Sequence, residues 1–242
     1  MTCRGGAQIL RPNDYRHVLT DPTDLPATPQ APIAYLTEPL KDLAAWVRYF
    51  SEAEIPVLAD TAIALEDLRA REDDVDPGML AAVIEADPLL TIKFMAHVAT
   101  KRRPGDVTET ETVMSSLVMT GVAPFFRNFG PQPTVEDRLH DQPEALEGLR
   151  EILLRGSRAA HFAMAFAVHR GDTDVSVIHQ AAYLHDFAEM LMWCHAPTLA
   201  LDIRAKQQAN TTLRSANLQR FVYNIELDDL RQEPHLGLRV PH

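Results

Sequence analysis

Several side chains that can bind a metal ion or move a proton are concentrated in one part of the sequence. His179, His185, Asp186 and Glu189 follow one another closely, and His161 precedes them. Imidazole nitrogens and carboxylate oxygens are good ligands for zinc, manganese and iron. A divalent ion held by such a group would ionise a bound water for attack on a phosphate ester. The residue types therefore allow a metal-dependent hydrolytic site here.

The same residues also have a purely structural interpretation. His185 falls on the apolar seam of a predicted helix, where a histidine bonded to backbone or to a carboxylate commonly belongs to the core. His161, His169 and His179 would then be exposed and incidental. Spacing alone favours this interpretation, because it places His185 and Glu189 on one helix face without showing that further ligands converge on them.

The elements that must position these residues are helices. Residues at alternating steps of three and four predict a helix over 146–168, and small side chains along its second half let a neighbour approach closely. That neighbour is predicted over 175–193, with Asp174 as its N-cap. The seam residues of the first helix are Leu146, Leu149, Leu153, Gly156, Ala160, Ala163 and Ala167. Because no convincing period-two strand is present, the predicted fold class is all-α.

Two Asp-Pro pairs predict helix starts in the first half of the chain. In Asp76-Pro77 and Asp87-Pro88, the carboxylate accepts from free backbone N–H groups and proline occupies a position that needs no N–H. The basic run Lys101-Arg102-Arg103 would end the second helix, where cations suit the negative end of the helix dipole. Its other interpretation is a phosphate-binding patch, which would make residues 76–103 a nucleic-acid reader.

Proline and glycine divide the chain into regions. Six prolines fall within 12–39, so residues 1–39 are predicted to be an extended N-terminal region. Helical pattern then fills 40–242. A polar connection over about 130–145 separates an N-terminal lobe, about 40–129, from a second lobe, about 146–242. The sequence therefore predicts a two-lobed helical bundle without a significant sheet.

Composition restricts the function classes. The 23 Lys and Arg against 34 Asp and Glu give a formal net charge of −11, which argues against nucleic-acid and anionic-membrane partners. The two cysteines, Cys3 and Cys194, cannot form a disulfide framework, so we expect a reducing cytoplasm. Cys194 lies in an apolar run and is predicted to be a buried thiol. No segment is long and apolar enough to span a bilayer, so no membrane association is expected.

The segment from Tyr183 to Glu189, Tyr-Leu-His-Asp-Phe-Ala-Glu, resembles the "LLHDxGxL" helix of the HD superfamily. It is most similar to the HDOD family, the HD-related output domains of bacteria. Other segments match in the expected order, and together they cover roughly residues 50–242. They are Ile55 to Leu58, Ile84 to Leu90, Gly121-Val122, Leu153 to Ser157, Phe221 to Leu230, and Leu238 to Pro241.

Departures from the family pattern bear on the chemistry. By this resemblance, a catalytic member would hold its metal with a first His, the His-Asp pair and a further Asp. Gly156 stands at the first-His position, and Ile225 replaces a further imidazole near the end of the chain. His185 and Asp186 would remain as a vestigial pair, and two ligands do not hold a catalytic zinc. The chain also stops at His242, where many relatives continue, which we interpret as a shortened or naturally reduced member.

The resemblance implies a non-catalytic regulatory or protein-interaction module in bacterial signal transduction. We expect no enzyme activity, no metal and no cofactor, and an acidic surface that favours a basic protein partner. The alternative is a metal-dependent HD-type phosphohydrolase acting on a nucleotide or cyclic dinucleotide. Its shifted ligand set would be His185, Asp186, His179, Glu189 and His161. The sequence leaves the partner, the oligomeric state and the role of the proline-rich region open.

Overall fold

The computed structural model describes residues 34–101 and 112–233. The predictions for the proline-rich region up to residue 33, for Arg102 and Arg103, and for the match at 238–241 lie outside these residues. Within them every regular element is a helix, apart from one isolated bridge between Val57 and Thr134. The all-α prediction is confirmed.

The helices follow one another through short connections. They are α1 (Leu43–Glu52), α2 (Ala59–Arg69), a 3-10 turn (Glu72–Asp74), α3 (Pro77–Ala86), α4 (Pro88–Lys101), α5 (Val113–Thr120), α6 (Val122–Asn128), α7 (Val135–Arg138), α8 (Pro143–Arg170), α9 (Val175–Tyr183), α10 (Phe187–His195), α11 (Pro197–Ala209), α12 (Ser215–Tyr223) and α13 (Leu227–Arg231). Among these, no helix is both long enough and apolar enough to cross a membrane.

Both predicted Asp-Pro helix starts are confirmed. Asp76 accepts a hydrogen bond from the backbone N–H of Met79 at 2.9 Å and caps α3. Asp87 accepts from the N–H of Leu89 at 2.8 Å at the start of α4. Asp87 also accepts from the N–H of Leu58 at 2.8 Å, so this buried carboxylate joins the start of α4 to the segment before α2.

Buried apolar residues form two cores. The first is built from α2 to α6 and includes Leu65, Leu80, Phe94 and Phe125. The second is built from α8, α10, α11, α12 and α13 and includes Leu149, Phe187 and Leu230. Nearly all of the buried residues on these helices are apolar, as expected for amphipathic helices around a core.

The second core also contains α1. The Trp46 indole N–H donates to the carbonyl oxygen of Tyr223 at 2.9 Å, and its ring stacks on Phe50 with 5.6 Å between centroids. By sequence position α1 belongs to the predicted N-terminal lobe of 40–129, but its buried side chains pack with residues 145–230. Two large aromatic rings on one face need a deep apolar surface, which the later helices supply.

The connection near residues 130–145 is packed against the rest of the protein, although its polar sequence does not indicate this. The N–H of Val57 donates to the carbonyl of Pro133, and the N–H of Val135 donates back to the carbonyl of Val57. Val135 and Leu139 are buried in the second core. The segment therefore fixes the chain on both sides of it, although most of its residues are polar or proline.

The prediction of one helix over 175–193 is wrong. The structure has α9 and α10, separated by a turn at Leu184, His185 and Asp186. The N–H groups of His185 and Phe187 bond to carbonyls three residues back, which tightens the chain out of the α-helical path. Asp174 makes no capping hydrogen bond for α9. The chain after α11 also forms two helices, α12 and α13, which are separated near Asn224, a residue with a φ of 63°.

Candidate functional site

The turn between α9 and α10 places the His-Asp pair beside the long helix α8. Gly156 of α8 is buried there, and a Cβ built on it would lie 3.1 Å from the carbonyl oxygen of Tyr183 and 3.6 Å from the methyl carbon of Met190. The small residue thus lets the end of α9 lie directly on α8. Because residue 156 points into this contact, glycine has a packing role at the position where the family resemblance expects a histidine.

Arg155, the neighbour of Gly156, binds both carboxylates of the site. Its Nε donates to Asp186 Oδ2 at 2.8 Å, and its Nη2 donates to Glu189 Oε2 at 2.6 Å. Charge-assisted hydrogen bonds of this kind are among the stronger polar contacts in proteins. The guanidinium therefore supplies the positive charge between the two carboxylates and ties α8 to α10.

A second guanidinium binds His185. Arg231 Nη1 lies 2.7 Å from His185 Nε2, while His185 Nδ1 lies 2.9 Å from Asp186 Oδ1. A guanidinium only donates, so Nε2 must be the accepting nitrogen and Nδ1 carries the proton toward Asp186. Arg231 also pairs with Asp228 at 3.0 Å. Both polar groups of the pair are thus held by arginines from other helices.

The electrostatics of the pair favour the ionised carboxylate. Burial opposes ionisation of Asp186, but the hydrogen bonds from His185 and Arg155 outweigh it and hold the pKa of Asp186 below its usual value. Burial also disfavours the charged form of Arg155, but Glu189 and Asp186 outweigh it and raise the pKa of Arg155 further. Asp186 and Arg155 are therefore both stabilised in their ionised forms by their partners.

The structure divides the five residues of the shifted ligand set. His161 and His179 face each other across α8 and α9 with 6.3 Å between ring centroids, and burial followed by the proximity of His161 lowers the pKa of His179. Asp186 and Glu189 are joined instead through Arg155. His185 is not a core histidine, because 61% of its side chain is exposed in the turn. His169 is exposed near the end of α8.

The donor set does not fit a metal ion of the HD type. Gly156 offers no donor, and Ile225 is an apolar residue of the second core. In the ranges 34–101 and 112–233, no three His, Cys, Asp or Glu side chains are grouped so that they could hold an ion. The remaining carboxylates and the imidazole are already bound to guanidiniums, whose positive charge would repel a cation.

Cys194 and its neighbour belong to the interior. Burial raises the pKa of the Cys194 thiol to about 12, which keeps it protonated and unreactive. His195 is also buried, and burial, with Arg138 nearby, lowers its pKa to about 3. Its Nδ1 lies 3.2 Å from the Tyr49 hydroxyl. The prediction of a buried thiol at Cys194 is confirmed.

The sequence patterns predict neither Arg155 nor Arg231 as a residue of the site. Arg155 immediately precedes the glycine at the first-His position, so its place next to the pair was a usable signal. Arg231 has no comparable signal, because it reaches His185 from a helix 46 residues further along the chain. Opposite charges on separate helices are paired by the tertiary fold rather than by any sequence spacing.

A helical fold in which a His-Asp pair lies in a turn against a long helix is the arrangement of an HD-superfamily domain. The family model described as HDOD domain matches residues 55–230, and the chain belongs to this family. The comparison with curated proteins gave no match. The comparison with solved structures gave none either.

Proposed function

We propose that this protein is a non-catalytic regulatory module that acts by binding another protein. The observation that carries the proposal is the pair of arginines at the His-Asp turn. Arg155 holds both carboxylates and Arg231 holds the imidazole nitrogen that faces away from Asp186. These arginines do in the folded protein what a metal ion would otherwise do, which is to balance the charge of the donors and join the helices that carry them.

The chemistry of hydrolysis supports the same conclusion. A catalytic zinc normally has three protein ligands and one open position for water. Here a metal would have to displace Arg155 from Asp186 and Glu189, and would still lack a donor from residue 156. Freeing Asp186 alone breaks two contacts, one to Arg155 and one to His185. A water activated for attack on phosphate has no place in such a set of residues.

An exposed apolar surface on α8 supports the binding role. Phe162 and Phe166 are each 68% exposed, and Leu154 is 42% exposed. Phe162 and Phe166 are four residues apart and lie side by side on α8; together with Leu154, two turns earlier, we name them the α8 stripe. Exposed aromatic residues on one face are typical of protein-binding surfaces.

The occupant that fits the α8 stripe is an amphipathic helix with acidic flanks. Arg158 and Arg170 are exposed, and they lie four residues before Phe162 and four residues after Phe166, so each neighbours one phenylalanine. An apolar partner surface would cover the phenylalanines, while carboxylates would face the arginines. The local charge here is therefore opposite to the net charge of −11, which on its own favours a basic partner.

Cellular context comes from the family and the cysteines. The HDOD family is an output module of bacterial signalling, and we assign this chain to bacterial signal transduction on that ground. The buried, unreactive Cys194 is consistent with a reducing compartment, so the proposed location is the cytoplasm.

The test of non-catalysis combines metal analysis with turnover. Purified protein is analysed for transition metals and then incubated with nucleotides and cyclic dinucleotides plus Mn²⁺, alongside His185→Ala. We expect no stoichiometric metal and no turnover in either sample. The alternative, a metal-dependent phosphohydrolase using His161, His179 and Glu189 with the pair, predicts metal-dependent turnover that His185→Ala abolishes, and that result would refute the proposal.

The test of binding uses a photo-crosslinking amino acid at position 162 in cells of the native host. Ile63, which is 51% exposed on α2, is the matched control for an exposed apolar position. We expect one protein adduct, identified by mass spectrometry, at position 162 and not at position 63, and we expect Phe166→Glu to reduce it. Equal adducts at both positions would contradict a specific surface.

A further inference from the structure

The second half of α8 and the whole of α9 form a helical hairpin that stays outside both cores. Leu153 of α8 packs against the second core, and the next residue along the chain that belongs to it is Leu184, after the end of α9. No side chain from 157–183 belongs to either core. We name residues 157–183 the α8–α9 hairpin. Because α9 packs mainly against α8, the stability of the hairpin depends largely on the contact between them.

This contact completely buries only small side chains. Between residues 157 and 170 the buried side chains are Ala160 and Ala167, and no residue of α9 is fully buried. Apolar burial stabilises a helix in proportion to the area removed from water, so buried alanines contribute little. The hairpin therefore has the properties of a segment that can open locally while the cores stay closed.

Two imidazoles face each other between α8 and α9. The ring centroids of His161 and His179 are 6.3 Å apart, and both residues are partly buried. His161 Nδ1 lies 2.8 Å from the carbonyl oxygen of Ser157. A carbonyl oxygen only accepts, so Nδ1 carries the proton of the neutral ring. Protonation of both rings would put two positive charges close together where solvent screens them only in part.

The helices of the hairpin offer these imidazoles no negative charge. α8 has no acidic residue after Glu151, and α9 has none at all. Arg158 is exposed one turn before His161 and adds a further positive charge. In the part of the chain that the structure describes, the histidine that pairs with a carboxylate is His185. A proton taken up by the facing imidazoles therefore gains no counter-charge on either helix.

The carboxylates at the two ends of the hairpin are bonded to other groups. In the connection between the helices, Asp172 pairs with Arg170 at 3.6 Å, and Asp174 accepts from the Thr173 hydroxyl at 3.0 Å. At the His-Asp turn, both carboxylates are held by Arg155. These groups therefore do not compensate a charge between the two imidazoles.

Helix α3 meets the hairpin at Tyr183. The Tyr183 hydroxyl donates to the carbonyl oxygen of Ala86 at 3.0 Å, and its ring centroid lies 6.1 Å from that of His179. Glu85 precedes Ala86, and burial alone raises the pKa of its carboxyl. Glu85 is thus not stabilised in its charged form by an imidazole, and α3 supplies no ion pair to the hairpin.

We propose that the α8–α9 hairpin opens as a unit at mildly acidic pH, when His161 and His179 take up protons, while both cores stay folded. The proposal goes beyond the proposed function, because it concerns the chain alone and requires no partner protein. Phe162 and Phe166 lie on this hairpin, so opening would also disturb the surface assigned to a partner. All the experiments below use the protein without a partner, so their failure would leave the proposed function untouched.

The direction of the pH effect follows from which form binds protons more tightly. Burial, followed by the proximity of His161, lowers the pKa of His179 in the closed hairpin. Opening exposes the imidazole, whose pKa then returns to about 6.5. The closed form therefore has its full stability above about pH 6.5 and loses it as pH falls from there through the folded-state pKa. Each pKa unit between the two forms changes the open population about tenfold.

The first experiment is hydrogen–deuterium exchange of the full chain on either side of the ~6.5 of an exposed histidine, at about pH 7.5 and about pH 5.5. Rates are measured on peptides and corrected for the intrinsic pH dependence of exchange. We expect peptides from 157–183 to exchange about three- to tenfold faster at the lower pH, and peptides of α10 and α11 to change much less. Unchanged exchange in 157–183, or an equal change in α10 and α11, would overturn the proposal.

The second experiment removes the titrating groups. The double variant with His161→Gln and His179→Gln keeps polar side chains but no imidazole, and we expect its hairpin to lose the faster exchange at low pH. His169→Gln is the matched control, because His169 is exposed on α8 within the same hairpin, and this variant should keep the response. If the double variant keeps the response, or the control loses it equally, the facing imidazoles do not control the hairpin and the proposal is wrong.

A measurement on the unaltered protein covers the case in which the double variant does not fold. The imidazole C–H signals of His179 are followed by NMR as a function of pH. We expect the titration midpoint of His179 to lie below the ~6.5 of an exposed histidine, since burial disfavours its charged form. A midpoint at or above that value would remove the driving force for opening and contradict the proposal.

Discussion

Two aspartates of this protein sit at helix starts and have opposite environments. Asp87 is fully buried and accepts from backbone N–H groups of Leu58, Leu89 and Leu90. Asp186 is partly exposed and accepts from the side chains of Arg155 and His185. Burial raises the pKa of Asp87, and backbone hydrogen bonds offset this only in part. The pKa of Asp186 is lowered instead, because its hydrogen bonds outweigh its burial.

The difference shows that Asp87 has a structural role, whereas Asp186 belongs to the candidate site. Backbone groups cannot be exchanged by mutation, so Asp87 is fixed by the path of the chain itself. The partners of Asp186 are side chains, and a change from arginine to another residue would alter the charge and ligand capacity of the turn without altering the fold. The more deeply buried carboxylate, Asp87, is therefore structural. The charge and ligand capacity around the less buried Asp186 can change by substitution of its side-chain partners.

The strongest test of this comparison is Asp87→Ala. Two buried N–H groups and one part-buried N–H group would lose their acceptor, and we expect a loss of about 3–5 kcal/mol of unfolding free energy, measured by urea denaturation. Asp76→Ala is the matched control, because Asp76 is an exposed Asp-Pro cap with one hydrogen bond. Its expected cost is about 1 kcal/mol. Equal losses for the two variants would show that burial of Asp87 adds nothing.

Gly156→His adds the missing donor type at the cost of packing. The new Cβ would lie 3.1 Å from the carbonyl of Tyr183, so we expect destabilisation of about 1–3 kcal/mol by thermal or urea unfolding. Because Arg155 still holds both carboxylates, added zinc should leave the melting temperature of the variant unchanged. Gly130→His is the control, since the nearest atom to a Cβ there is the end of Arg69 at 3.7 Å. A zinc-dependent rise in melting temperature would contradict the role assigned to Arg155.

Arg155→Ala removes the bridge between the two carboxylates. Since the guanidinium is about half exposed, we expect a loss near 1 kcal/mol that decreases with added salt. Arg158→Ala, one turn further along α8 and exposed, should change stability by no more than about 0.5 kcal/mol. The comparison fails if the two variants have the same stability at low salt.

The smallest expected effect is a difference in pH dependence. For Asp186, the lowered pKa gives stability that is present above the unfolded-state value of about 4 and is lost as pH falls through the folded-state pKa. For Asp87, the raised pKa gives the opposite sign, with stability lost as pH rises from about 4 through the folded-state pKa.

The measurement compares Asp186→Asn and Asp87→Asn with the parent protein by urea denaturation at several pH values. The stability advantage of the parent should grow with pH against the first variant and shrink with pH against the second. The same sign for both would mean that side-chain partners and burial do not differ in the way described.

Much of the fold follows from local signals, and the two Asp-Pro pairs show why. Each combines a capping carboxylate with proline at the first turn, which is a property of neighbouring residues. The break between α9 and α10 has no such signal, because apolar spacing continues through Leu184 and His185 into α10. The turn there depends on packing against α8, and a tertiary contact of this kind produces no periodic pattern in the sequence.

The site was predictable only in part for the same reason. Gly156 and the His-Asp pair are recognisable because they occupy positions of a family pattern. Arg155 and Arg231 contact the His-Asp pair only because the tertiary fold brings them to it. The sequence therefore does not predict the positive charge of their guanidiniums at the site. The composition of the second core was also not predictable from local patterns, because Trp46 and Phe50 are near the beginning of the described chain but pack with its last helices.

The place of α1 has a consequence for biosynthesis. The first core is built from residues 57–129, which emerge from the ribosome together and can pack while later helices are still being translated. The second core needs Trp46 beside Tyr223, so its closing contact joins residues 177 positions apart. This contact can form only after nearly the whole chain has been synthesised. We therefore expect the half of the protein that carries the His-Asp turn to become resistant to proteases last.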